Sequence, residues 1–190
     1  MHKINYSTKI LTTAVLASLL AATPVGAAEQ NVTDTVGASN TDANRYASIA
    51  VTKTTAHQTS AGDLPDTFYA VNISTDSGTN QLYVTDGSTI SVTATNTRGA
   101  DNAYNIYNDT NQSLTVSGTP SLTATAIAGT NDNSGATGDD ASASASARAY
   151  GLLNVNDVEG NTGTVTTGNI KSITVTATAG QATAGTASST

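Results

Sequence analysis

Val92-Thr93-Ala94-Thr95 returns as Leu122-Thr123-Ala124-Thr125 and again as Val175-Thr176-Ala177-Thr178, with Ile49-Ala50-Val51-Thr52 a weaker, earlier copy. Apolar or small residues alternate in these segments, most often with Thr. A period of two places alternate side chains on opposite faces of an extended chain, which is the pattern of a strand and not of a helix. Val, Ile and Thr are stiff at χ1 and pack well on a pleated surface.

A second element accompanies the first. It reads Phe68-Tyr69-Ala70-Val71-Asn72, then Ala103-Tyr104-Asn105-Ile106-Tyr107-Asn108, then Ala149-Tyr150-Gly151-Leu152-Leu153-Asn154. Clusters such as Asp76-Ser77-Gly78 and Asp86-Gly87-Ser88 separate the elements and read as turns. The structural repeat positions are therefore Tyr69, Tyr104, Tyr150, Val92, Leu122 and Val175, and the expected fold class is all-β.

Composition narrows the architecture. Hydrophobic residues are 37% of the 190, with Ala the commonest of them, and aromatics are 4%, with no Trp and Phe68 the lone Phe. Such a chain cannot fill a broad core. Stacked parallel coils suit it, because each strand pairs with its equivalents about 4.8 Å above and below. Thr and Asn then form ladders, and a narrow core of Val, Ile, Leu and Ala is sufficient. With roughly 20 to 25 residues per coil, a β-solenoid of about seven coils is expected, a rod roughly 35 Å long. The alternative is a β-sandwich, which needs larger inward side chains in two facing sheets.

Residues 1–28 read as a signal peptide. His2, Lys3 and Lys9 give a basic start, Ile10 to Ala22 an apolar run, and Thr23-Pro24 a break. Val25-Gly26-Ala27-Ala28 then supplies small residues for cleavage after Ala27 or Ala28. The apolar run is shorter than the roughly 20 residues of a membrane span. Export through the Sec pathway follows, to an extracellular or cell-surface location, with no transmembrane segment in the mature chain. Residues 29–44 are polar and aperiodic, 45–190 hold the repeats, and 129–140 (GTNDNSGATGDD) form a turn-rich insertion. That insertion is the candidate for a presented loop. The run 141–147 (ASASASA) reads equally as a strand in a crowded stack and as linker.

The formal net charge is −7 with only 11% charged residues. A phosphate-backbone binder needs a basic stripe, so nucleic acid is excluded as a partner, and an anionic membrane surface is disfavoured. Without cysteine there are neither disulfides nor thiolate zinc sites. No residue is assigned to catalysis, a cofactor or a metal. His57 reads as a solvated loop histidine; Glu is limited to Glu29 and Glu159, and Asp139-Asp140 is the one adjacent acidic pair. Asp132, Asp139 and Asp140 offer hard oxygen ligands, but no calcium-loop pattern surrounds them, and they read as turn acids. A nucleophile elbow and a phosphate cradle are both lacking. Tyr69, Tyr104 and Tyr150 read as bulky members of the stack; facing outward, they would make a carbohydrate-stacking platform.

The leader, the A-Y-x-I/L-x-N element at Ala103–Asn108 with its two relatives, and the S-L/I-T-V/A-T-A element together resemble the N-terminal passenger region of autotransporter adhesins of Gram-negative bacteria. The resemblance covers roughly residues 45 to 180. It implies a pertactin-like right-handed parallel β-helix, non-catalytic and displayed at the outer membrane, with an unidentified host or bacterial surface ligand as partner and no stated oligomeric state. The terminal translocator barrel of that family has no counterpart here. Tyr104 follows Val92 by 12 residues; the equivalent place after Val175 is Ala187, close to Thr190, so a truncated stack is expected. The other functions considered are a secreted polysaccharide-acting β-helix enzyme and a small secreted low-complexity protein.

Overall fold

A computed structural model describes residues 28–37, 40–57, 65–74, 79–109, 113–137, 143–155 and 163–185. The expected leader up to Ala27 lies outside the described residues, as do 138–140 of the insertion. The fold is all-β, 67% strand, and no helix occurs among the described residues. In chain order the strands are β1 (Ala28–Val32), β2 (Asn44–Thr55), β3 (Asp66–Ile73), β4 (Asn80–Asn96), β5 (Asp101–Asp109) and β6 (Leu114–Ser117). Then follow β7 (Ser121–Ala128), β8 (Asn131–Asp132), β9 (Arg148–Val155), β10 (Val165–Thr167), β11 (Ser172–Thr178) and β12 (Ala182–Thr183).

Every strand pair among the described residues is parallel, and apart from the short β8–β12 pair they make three sheet faces. The first face runs β1-β2-β4-β7-β11. The second runs β3-β5-β9. The third joins the start of β4 to β6 and β10. The chain visits first, second and third face in turn and then returns to the first. β4 supplies both a third-face and a first-face strand, bending near Gly87, whose φ of 76° lies in the left-handed region that glycine adopts freely. An immunoglobulin-like sandwich is built from antiparallel strands, and the described residues contain none.

Alternation decides which side chains enter the interior. On the first face Ile49 and Val51, then Ile90, Val92 and Ala94, then Leu122, Ala124 and Ala126 point inward and are buried. Val71 and Ile106 from the second face, and Leu82, Leu114 and Val116 from the third, close the core against them. Between the inward residues, Thr52, Thr93, Thr125 and Thr176 occupy one ladder position across four strands.

Three expectations change. Ile49 pairs with Ile90, Ile90 with Leu122, and Leu122 with Ile173, so circuits take 41, 32 and 51 residues and not 20 to 25. The third-face strands, such as Leu114-Thr115-Val116, are too short to be told apart from the Thr element, so two of the three faces are recognised from the sequence. Five strands stacked on the first face span roughly 20 Å, in place of seven coils. Second, the register of the Thr element is offset by two: Val92 faces Ala124, and Ala124 faces Val175, while Leu122 faces Ile90 and Ile173. A slip of two residues keeps every side chain on its own face, so alternation alone does not distinguish the two registers.

Third, the polar stretch 29–44 is structured where described. β1 pairs with β2, Val36 bridges to Val71, and the Asn40 side chain bonds both the Tyr83 N–H and C=O at 2.7 Å. The stretch thus completes a circuit of its own. It needs little apolar content because backbone pairing to an existing strand does most of the ordering.

The insertion likewise starts inside the stack. β8 pairs with β12, and Asn131 is buried, its amide donating to the Ser144 carbonyl at 2.8 Å. Residues 143–147 of the Ala-Ser run form no strand; Ala145 is buried against Ala100 and Ala128.

Candidate functional site

Two side-chain groups stand out. One lies at the corner where the first face gives way to the second. Asp66 opens β3, Asp101 opens β5, and the two are direct partners in the parallel ladder. His57, just beyond β2, lies against both: Nδ1 is 3.8 Å from Asp66 Oδ2, and Nε2 is 3.5 Å from Asp101 Oδ1. Asp101 is 0% exposed, while the His57 and Asp66 side chains are 40% and 61% exposed.

The buried carboxylate is held by two neighbours. The Thr55 hydroxyl donates to Oδ2 at 2.5 Å, and the Asn96 amide donates to Oδ1 at 3.2 Å. Asn96 is itself fixed, since its Oδ1 accepts from the Arg98 N–H at 3.0 Å and its amide lies 3.3 Å from His57 Nε2. No Lys or Arg among the described residues forms an ion pair with Asp66 or Asp101. Like charges opposed across a ladder repel, and among the described residues His57 is the basic side chain that lies against both carboxylates.

The arrangement has two members of a Ser-His-Asp triad, and no hydroxyl among the described residues supplies the third. A nucleophile must hydrogen-bond the histidine. The Thr55 hydroxyl donates to the Asp101 carboxylate and not to the imidazole.

The second group is a tyrosine cluster on the outer side of the second face. Tyr69 pairs with Tyr104, and Tyr104 with Tyr150. Ala103 and Asn105 on either side of Tyr104 are buried, so the rings point away from the core. Tyr104 meets Tyr69 at 5.7 Å and Tyr150 at 4.9 Å, with ring planes at 82° and 88°; Tyr107 adds a tilted contact to Tyr69 at 5.1 Å. Edge-to-face geometry of this kind is favoured by the ring quadrupoles. The phenol of Tyr104 is held above the ordinary tyrosine range, first by burial and then by the neighbouring Tyr150, against an opposing pull from Arg148. Edge-to-face rings interlock with one another instead of presenting one flat surface.

Val92, Leu122 and Val175 stand apart from both groups. The first two are core, and Val175 is 47% exposed on β11. Of the candidate calcium residues, Asp139 and Asp140 lie outside the described residues. Asp132 accepts from the Ser134 N–H at 3.0 Å, and its bonding to Ser134 holds the carboxyl below the usual range.

His57 was expected to be a solvated loop residue, and Asp66 and Asp101 drew no attention. A signal for the pair existed: Asp66-Thr67-Phe68-Tyr69 and Asp101-Asn102-Ala103-Tyr104 place an aspartate three residues before each ladder tyrosine. The approach of His57 depends on the path after β2, which no local pattern specifies. Comparison of the chain with protein-family models, curated proteins and solved structures finds no match.

Proposed function

We propose that the chain is a segment of a right-handed parallel β-helix, exported through the Sec pathway and displayed outside the cell as a non-catalytic structural and adhesive element, like the passenger of an autotransporter adhesin. The observation that carries this reading is the all-parallel, in-register repetition of three sheet faces. Such a stack is a rigid spacer by construction, since each strand gains its hydrogen bonds and buried area from the circuits beside it. The leader at residues 1–28 and the low, acidic charge suit an extracellular setting.

The test has two parts. Expression of the full chain in a Gram-negative host should give a processed protein outside the cytosol, with an N-terminus at Ala28 or Glu29. Recovery of only unprocessed chain in the cytosol would overturn export. Beads coated with the processed protein should bind epithelial cells or a glycan surface more than beads coated with albumin. Equal binding would remove the adhesive half and leave a spacer.

A further inference from the structure

We infer that His57, Asp66 and Asp101 form a binding site for a divalent transition-metal cation of the zinc class. One donor atom from each residue lies within 4.8 Å of the others. Neighbouring donors around a tetrahedral ion with bonds of 2.0–2.1 Å are about 3.4 Å apart. The three groups therefore need to close by at most about 1.4 Å. His57 and Asp66 are exposed enough to rotate through that distance, while Asp101 is anchored.

Charge points the same way. Asp101 is fully buried, and a carboxylate taken out of water is stabilised by a positive partner as well as by hydrogen bonds. Thr55 and Asn96 supply dipoles only. Asp66, one rung below, doubles the negative charge at the corner. A divalent cation bound between the two carboxylates would balance both at once.

The donor set selects the class. One imidazole and two carboxylates suit zinc and its first-row neighbours, whereas calcium takes six to eight oxygens. Thr55 and Asn96, bonded to the ligating carboxylate, would act as outer-shell supports that fix its orientation. The exposed side of His57 leaves room for water or a ligand side chain to complete the coordination. His57 follows β2, Asp66 opens β3 and Asp101 opens β5, so the ion would fasten one circuit to the next at a corner. Its place in the fold is independent of the adhesive reading, and each can fail without the other.

The experiment is titration of the purified, untagged chain, stripped with chelator, with zinc chloride by calorimetry. Cobalt(II) serves as a spectroscopic stand-in. One equivalent should bind, a visible cobalt spectrum of a four- or five-coordinate site should develop, and zinc should raise Tm. His57→Ala and Asp66→Asn should each weaken binding at least about tenfold and abolish the shift in Tm. Both residues are on the surface, so the variants should fold, which circular dichroism checks. Should a variant fail to fold, the wild-type cobalt spectrum decides alone. Absence of saturable zinc binding, zinc affinity unchanged by His57→Ala, or a preference for calcium over zinc would each overturn the assignment.

Discussion

Gly180 lies directly over Gly129: a methyl group at Gly180 would stand 1.9 Å from the Gly129 carbonyl oxygen. Gly129 meets the backbone below in the same way, a Cβ there falling 2.2 Å from the Thr97 carbonyl oxygen. This corner, where the first face ends, is a column of backbone on backbone. Its spacing is set by glycine and leaves no room for a side chain.

Replacement of Gly180 by alanine should therefore force the corner apart. Overpacking of this kind costs about 2 kcal/mol, equivalent to a fall in Tm of roughly 4–8 °C for a chain of this size. Thermal unfolding followed by circular dichroism measures it. An unchanged Tm would mean that the corner is not a rigid contact.

Asn105 should prove more costly to remove than its polarity suggests. Its amide is buried and donates to the Ile90 carbonyl at 2.6 Å and the Thr123 carbonyl at 2.8 Å, tying the second face to two first-face strands. Asn105→Ala would leave both carbonyls short of a partner, at about 1–3 kcal/mol each. Urea unfolding should show a loss of roughly 2–6 kcal/mol, with faster amide exchange in β4 and β7. A loss no greater than that of an exposed Asn→Ala change would refute the bridging role.

Equivalent ladder positions should differ in energetic weight. Leu122 is fully buried, and Ile173, its partner on β11, is 52% exposed. Leu122→Ala should cost about 2–5 kcal/mol, and Ile173→Ala roughly 1 kcal/mol, since only half its surface leaves water. Similar losses at both sites would mean that the inward-facing side of β11 is covered in solution.

Tyr104 should ionise later than a free tyrosine. Its folded value is raised, whereas the unfolded phenol titrates near the ordinary value of about 10. Its contribution to stability is then fully present below that value and lost as pH rises through the folded one. Absorbance at 295 nm against pH should show a late component that Tyr104→Phe deletes. Superimposable curves for the two proteins would contradict the effect of burial and of Tyr150.

Particular residues show how far the sequence could be read. Tyr69, Tyr104 and Tyr150 were aligned from the sequence, and the structure places them side by side. One large side chain among small ones is a unique marker, and no shifted pairing matches it. Val92 and Val175 were aligned correctly with each other, both facing Ala124, but Leu122 was aligned two residues from its observed register, because Thr-x-Thr-x strands look alike after a slip of two. The first circuit, at residues 28–40, was missed because Asn40 joins the third face through its side chain, imitating a backbone that the sequence does not show. Asp66 and Asp101 were visible as a repeated spacing, but nothing local tied them to His57.

The sequence by itself determined the all-β class, the assignment of side chains to inner and outer faces, and the narrow core of small residues. These follow from period-two alternation and composition, which act within a few residues. The tertiary structure alone decided the register, the lengths of the circuits and the meeting of His57 with two aspartates. Those depend on which backbone groups pair across 32 to 51 intervening residues and on how closely corners such as Gly129 and Gly180 can stack, and period-two alternation is blind to both.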